Sequence, residues 1–404
     1  MDKLHYKKEI SRSDHGNILQ KLLLSNSKLA HDIYKVLTQE CTGNLIFSPI
    51  SLQIALLILF SGANKKTAEE LKSGLNLTEE KDEVLQGTSS LLESLQNSCL
   101  KVASQMFIAE KFPMKKSYEQ LVAKYFESIY QTVDFAKFPA KIADMINSWV
   151  SEKTNNLITE IITSDALNKN TAMILLNAVY FKADWSHKFN YYSTRNESFH
   201  VSPDQCIEIS MMKKSSHMQY SKQKSFGILE IPYLGGNDLR FLVFLPDKIN
   251  GLPQVESALF ETEFQEMLSE VKTIWVNLKL PKMKVEESIN VKHILEKLGM
   301  KEMFNPNSAD FFDMFSREVV NDVLFVNDLF HKAVLKVNEH GTEAAAATHV
   351  SLCGGGSVPE MIDFHVNRPF IFMILQKDLI LFMGRVTNPQ SYGDDPQEFQ
   401  PGYF

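Results

Sequence analysis

The chain has 404 residues, 44% apolar and 23% charged, with a formal net charge of −7. That balance describes a folded protein with a sizeable core; the acidic sign gives no electrostatic basis for nucleic-acid binding. No run reaches the roughly 18 to 20 apolar residues of a membrane-spanning helix, the nearest being Leu52 to Phe60, so no membrane partner is expected.

Residues 1–20 are polar and read as an extension without the pattern of a secretory signal. A second polar stretch, at 390–404, reads as a tail. Apolar residues then recur at helical spacing over Leu22 to Val36, over Ser51 to Ser61 behind Ser48-Pro49, and over Thr67 to Leu75. Strands are predicted at Val102 to Ala109, Met173 to Tyr180 and Phe199 to Met212. Ile228 to Tyr233 and Leu239 to Pro246 flank Gly235-Gly236-Asn237 as a hairpin; Trp275 to Leu280 reads as a strand and Val291 to Leu298 as a helix. Two apolar strands, Ile371 to Leu375 and Leu379 to Val386, close the series across Gln376-Lys377-Asp378. The class is α+β with mostly antiparallel strands. No linker or repeat interrupts 21–389, which is expected to form one domain. Cys41, Cys99, Cys206 and Cys353 show no paired spacing.

The stretch Glu339-His340-Gly341-Thr342-Glu343-Ala344-Ala345-Ala346-Ala347-Thr348 is unusual. Read with period two, Thr342, Ala344, Ala346, Thr348, Val350 and Leu352 share a mostly apolar face, and Glu343, His349, Ser351 and Cys353 the other. Alanine has poor β-propensity, and Gly341 with Gly354-Gly355-Gly356 makes a flexible frame, so the stretch can become a strand without having to be one. By composition alone an Ala-rich helix or a linker fits it as well.

Catalysis finds no motif. There is no Gly-x-Ser-x-Gly elbow and no His-Glu-x-x-His pair; Gly354-Gly355-Gly356-Ser357 lacks the Lys of a phosphate loop. The eleven histidines form no convincing metal set, so neither metal nor cofactor is expected.

The stretch from Glu339 to Thr348, the run Phe364-His365-Val366-Asn367-Arg368-Pro369-Phe370 and the closing Phe382-Met383-Gly384-Arg385-Val386-Thr387-Asn388-Pro389 together resemble the serpins. Asn44 to Ser51, Ser61-Gly62-Ala63 with Thr67 to Leu71, Asn147 to Val150, Asn177 to Trp185, Leu280-Pro281-Lys282 and Phe330 to Ala333 are similar to motifs of that family and occur in its order. The resemblance runs from about Leu22 to Pro389 and is to inhibitory, invertebrate-like members. It implies three β-sheets, about eight or nine helices and an exposed reactive-centre loop at about 341–364.

The implied activity is mechanical. A protease cleaves the loop, and the released hinge inserts into the central sheet as a new strand and traps the acyl-enzyme. Hinge residues are then Glu339, Gly341, Thr342, Glu343, Ala344, Ala345, Ala346, Ala347 and Thr348; His340 stands where an acid or lysine is commoner. Lys282 resembles the sheet lysine that pairs with Glu339, with Trp185 beside them; Ser48, Ser51, Asn177 and His331 resemble the polar cluster beneath the sheet. Counting from Gly341 places the scissile bond at Gly355-Gly356; a cysteine protease docking Leu352 would cut Cys353-Gly354 instead. Glycine fills no deep pocket, which points to an elastase-like or subtilisin-like serine protease, with a papain-like cysteine protease or a non-inhibitory carrier or chaperone as the alternatives.

The protein is expected to be monomeric. The polar extensions at 1–20 and 390–404 resemble those of secreted serpins more than the compact intracellular ones, so an extracellular protein is expected, or a cytoplasmic one if Met1 is the natural start. Asn76 and Asn196 are glycosylation candidates if it is secreted. Lys111, Lys115, Lys116 and Lys124 cluster around one loop and helix, but the segment that binds heparin in many serpins carries Glu79, Glu80, Asp82, Glu83 and Glu93 here, which argues against a heparin-type partner.

Overall fold

The first helix, α1, spans Asp2–Glu40, well upstream of the apolar spacing that begins at Leu22. No proline interrupts this stretch, and Lys and Glu are good helix formers, so the polar segment sustains a helical backbone without an apolar stripe. The structure, a computed structural model, describes residues 2–96, 100–126, 130–235, 238–262, 264–316, 320, 322–342 and 361–391; side chains of 2–17, 96, 101–103 and 342 are not described.

Next come β1 (Leu45–Phe47), α2 (Pro49–Gly62), α3 (Lys65–Gly74), α4 (Lys81–Gln96), β2 (Leu100–Ala109), α5 (Lys116–Phe126), β3 (Tyr130–Val133) and α6 (Pro139–Lys153). They lead to β4 (Met173–Phe181), β5 (Ala183–Asp184), β6 (Arg195–Ser202), β7 (Gln205–Lys222), β8 (Phe226–Pro232) and β9 (Leu239–Pro246). After α7 (Leu252–Glu261) and α8 (Phe264–Leu268) follow β10 (Lys272–Pro281), β11 (Met283–Asn290), α9 (Lys292–Lys297), β12 (Val326–Val337) and β13 (Gly341–Thr342). β14 (Met361–His365), β15 (Phe370–Gln376) and β16 (Leu379–Val386) close the chain.

The chain forms two compact units: Met1–Leu37 with Ser48–Tyr180 and Ser288–Ala333, and Thr38–Phe47 with Phe181–Glu287 and Val334–Phe404. In the first, α2 is buried at every position, which explains why its run Ile50 to Phe60 has no polar face. Ser48 caps it, accepting from Ser51 N–H, and Pro49 fits the first turn, where its missing N–H costs nothing. A five-stranded sheet has the order β11-β12-β4-β2-β3, with β4 buried throughout. β12 and β4 are hydrogen-bonded neighbours, so no strand separates them.

The second unit holds a nine-stranded sheet in the order β1-β16-β15-β9-β8-β7-β10-β14, with β6 pairing β7, and the two-stranded β13-β5. The run Phe199 to Met212, read as one strand, is two: the chain turns after Ser202 at Pro203-Asp204, and Arg195 to Ser202 folds back on β7. Proline cannot donate to a ladder and is suited to that turn.

Candidate functional site

Glu339 lies two residues beyond β12 with both carboxylate oxygens engaged. Oε1 accepts from Thr194 Oγ1 at 2.8 Å, and Oε2 lies 3.4 Å from Lys282 Nζ. Both charged groups are buried, so each compensates the desolvation of the other. The Glu339 carbonyl accepts from Phe189 N–H at 2.8 Å, and that of His340 from Trp185 N–H at 2.9 Å.

Trp185 is 1% exposed and lies in the same cluster. It stacks on Tyr233 with ring centroids 4.4 Å apart, edges against Phe189 and Phe241, and donates from Nε1 to the Asn338 carbonyl at 2.9 Å. Asn338 Oδ1 in turn accepts from the amides of His340 at 3.0 Å and Gly341 at 3.1 Å, fixing the turn that leads into β13. The His340 Nδ1 atom is buried without a hydrogen-bond partner.

Gly341 is the tightest point. Its φ of +152° is one that side-chain-bearing residues rarely adopt, and a Cβ there would lie 2.2 Å from the Ala183 carbonyl oxygen. Only a glycine lets the backbone approach β5 this closely. The pairs Gly341↔Asp184 and Thr342↔Ala183 are antiparallel.

In the first unit, Ser48, Ser51, Asn177 and His331 form one closed network. Ser48 N–H donates to His331 Nε2 at 3.0 Å, which places the ring proton on Nδ1, and Nδ1 donates to Asn177 Oδ1 at 2.6 Å. The same oxygen accepts from Ser51 Oγ at 2.6 Å, while Asn177 Nδ2 donates to the Ser51 carbonyl at 3.0 Å and to Ser104 Oγ at 2.7 Å. All four positions of the amide are satisfied. Burial drives the His331 pKa down to about 3, so the ring is neutral at physiological pH.

Sequence reasoning missed Ser104, Thr194, Asn338 and Tyr233. Ser104 had a signal, being a hydroxyl in the otherwise apolar row Val102, Met106 and Ile108. Thr194 had none. Thr342 is described in its backbone alone, and Glu343, Ala344, Ala345, Ala346, Ala347, Thr348, Cys353, Gly354, Gly355 and Gly356 lie outside the described residues.

Asn76 and Asn196 are both exposed. Lys111 pairs with Asp322 at 2.5 Å, Lys115 donates to the Phe312 carbonyl at 2.5 Å and Lys124 to the Tyr125 hydroxyl at 2.8 Å, so three of the four clustered lysines are already engaged. Among the described residues no group of three His, Cys, Asp or Glu side chains is placed to hold a metal ion, and no helix is long and apolar enough to cross a membrane.

Residues 24–389 match the family model described as serpin (serine protease inhibitor). The chain is 33% identical to human serpin B3 over 395 residues, covering 90% of this chain and 98% of that protein. It is likewise 33% identical to the leukocyte elastase inhibitor of Xenopus laevis, covering 89% and 97% of the two chains. Among solved structures, Serpin48 of the insect Tenebrio molitor superposes with a TM-score of 0.83 at 27% identity, covering 92% of this chain and 99% of that one. With the glycine-seated β13, the buried Lys282–Glu339 pair and the polar network on Asn177 already in view, these matches place the chain in the serpin family.

Proposed function

We propose that this protein is a suicide-substrate inhibitor of serine proteases with a small or shallow primary pocket. The observation that carries the reading is the antiparallel ladder of Gly341 and Thr342 on β5, which directly follows β4 in the chain. Continued one residue for one along β4, that register brings Ala344 opposite Phe181, Ala346 opposite Val179 and Thr348 opposite Asn177. The slim side chains fall among buried neighbours, and the Thr348 hydroxyl arrives at the polar network around Asn177 and His331, where hydrogen bonds can re-pair.

The attacking serine Oγ bonds to the carbonyl carbon of Gly355, and the amine of Gly356 leaves. The freed hinge then inserts between β4 and β12, completing a strand and carrying the ester-linked protease with it. Relief of strain in the uninserted sheet drives the step.

The test is incubation with elastase-like, subtilisin-like, trypsin-like, chymotrypsin-like and papain-like proteases, followed by a denaturing gel. A denaturant-resistant complex with an elastase-like or subtilisin-like enzyme supports the proposal. Loop cleavage by all of them without any complex, or a complex with the papain-like enzyme alone, overturns it.

A further inference from the structure

The hairpin of β6 and β7 carries a nucleophile with a base that the inhibitory mechanism does not use. His200 and Cys206 are direct cross-strand partners, and Cys206 Sγ lies 3.1 Å from His200 Nδ1. Cys206 is a free, exposed thiol.

The pair ends a polar ladder on one face of the hairpin. Along it Ser198 Oγ donates to Glu208 at 2.7 Å and Ser210 Oγ to Asn196 at 3.1 Å. Glu208 stands two positions from Cys206 on the same strand face. A register irregularity falls between His200 and Ser202, immediately beside the pair, and such bulges re-aim side chains. His200 is anchored by its own N–H, which donates to the Asn367 carbonyl at 2.8 Å.

Cys41 provides the contrast within the same protein. It is only part-exposed, and among the described residues its thiol donates to the Asn44 carbonyl at 3.8 Å rather than to a base.

We propose that Cys206 is a thiolation site, taking its second sulfur from a low-molecular-weight disulfide with His200 as the base. The Sγ proton passes to Nδ1, and the thiolate attacks one sulfur of the disulfide. A new S–S bond forms to Cys206, the original S–S bond breaks, and the departing thiolate recovers the proton from the imidazolium as a free thiol. Cys206 is oxidised and one half of the small disulfide is reduced. The thiolate is the reacting species, and an isolated thiol of pKa about 8.5 is only about 3% ionised at pH 7, so complete activation is bounded at about thirtyfold. A more acidic thiol is also a weaker nucleophile, which reduces the gain to about tenfold.

The intact protein is incubated with glutathione disulfide at pH 7 and each cysteine is followed by peptide mapping. Cys206 is expected to gain the adduct about tenfold faster than Cys41. His200→Gln keeps the side chain polar but cannot hold the proton, and it should slow Cys206 about tenfold with the Cys41 rate and the thermal midpoint unchanged. The proposal falls if Cys206 reacts no faster than Cys41, or if His200→Gln leaves its rate as in the parent. It falls equally if that variant changes both cysteines together, since that would mean a general loosening of the fold.

Discussion

Lys282 and Glu339 meet inside the protein, with Nζ 3.4 Å from Oε2 and side chains only 8% and 3% exposed. Removing one partner leaves an uncompensated buried charge, which costs about 3–5 kcal/mol. Lys282→Glu places two like charges together and should release the hinge, so that polymers or the inserted form accumulate on mild warming, seen on a native gel. Adding Glu339→Lys should recover part of the loss. Additive effects of the two substitutions would mean that the pair is not coupled in solution.

Gly341→Ala should detach the hinge from β5, because its Cβ has no room beside the Ala183 carbonyl. Strain of about 1–3 kcal/mol corresponds to roughly fivefold to 150-fold faster amide exchange. The amides to watch are Trp185 and Phe189, which donate to the carbonyls of His340 and Glu339. Unchanged exchange at both would show that the backbone accommodates the methyl group.

Asn177→Ala removes the acceptor shared by Ser51 Oγ and His331 Nδ1. Stranding two buried donors should cost on the order of 3 kcal/mol in urea denaturation. A pH dependence follows from the same ring. The folded His331 resists protonation down to about pH 3, whereas its ordinary pKa is 6.5. Below about 6.5 the unfolded chain therefore binds a proton that the folded chain does not, and stability falls by up to about 1.4 kcal/mol per pH unit until about pH 3. Glu79 adds to the loss at lower pH. Burial opposes its ionisation, but Lys21 at 2.5 Å and the Thr78 hydrogen bonds outweigh it and hold the pKa at about 2, so its contribution disappears from about 4.5 downward. His331→Phe should flatten the dependence between pH 6.5 and 4.5; an unchanged slope would mean that His331 is not kept neutral.

Thr342→Arg should turn the protein from inhibitor into substrate. On the proposed register a guanidinium would have to enter the sheet among the first residues and lie buried without a partner, costing several kcal/mol. Cleavage continues while covalent complex is lost. An arginine variant that traps protease as efficiently as the parent would contradict hinge insertion.

Cleavage is expected at Gly355-Gly356, giving a C-terminal fragment that begins at Gly356 by mass spectrometry, and the cleaved protein should melt well above the intact one. A fragment beginning at Gly354 would point to a cysteine protease that docks Leu352. The register itself is testable, since cysteines at Ala346 and Val179 should form a disulfide after cleavage and not before. Cleavage with no gain in thermal stability would remove the strained-sheet mechanism.

Periodicity and motif order revealed the α+β class, most of the strands and the candidate hinge, because these signals are local. The mostly apolar run of α2, the hairpin at 228–246 and the slim face of Thr342, Ala344, Ala346 and Thr348 are each written within a few turns or one strand. Even there, local reading cut α1 short and merged β6 into β7, since neither a polar helix nor a turn at Pro203-Asp204 disturbs an apolar count enough to be seen.

The pairings of the site were a different matter. Likeness to a family, rather than any pattern in the neighbouring residues, singled out Lys282 with Glu339 and the four residues around Asn177. Thr194, which lies 145 positions from Glu339, and Ser104, 73 from Asn177, were missed. Residue type determines which atoms can donate or accept and which backbone can tolerate no side chain, and this much is present in the chain before it folds. Which donor meets which acceptor, which tautomer His331 adopts and which charge Glu339 faces are decided when distant strands pack and exclude water, because only then does an unmet hydrogen bond or a lone charge become costly enough to select one arrangement.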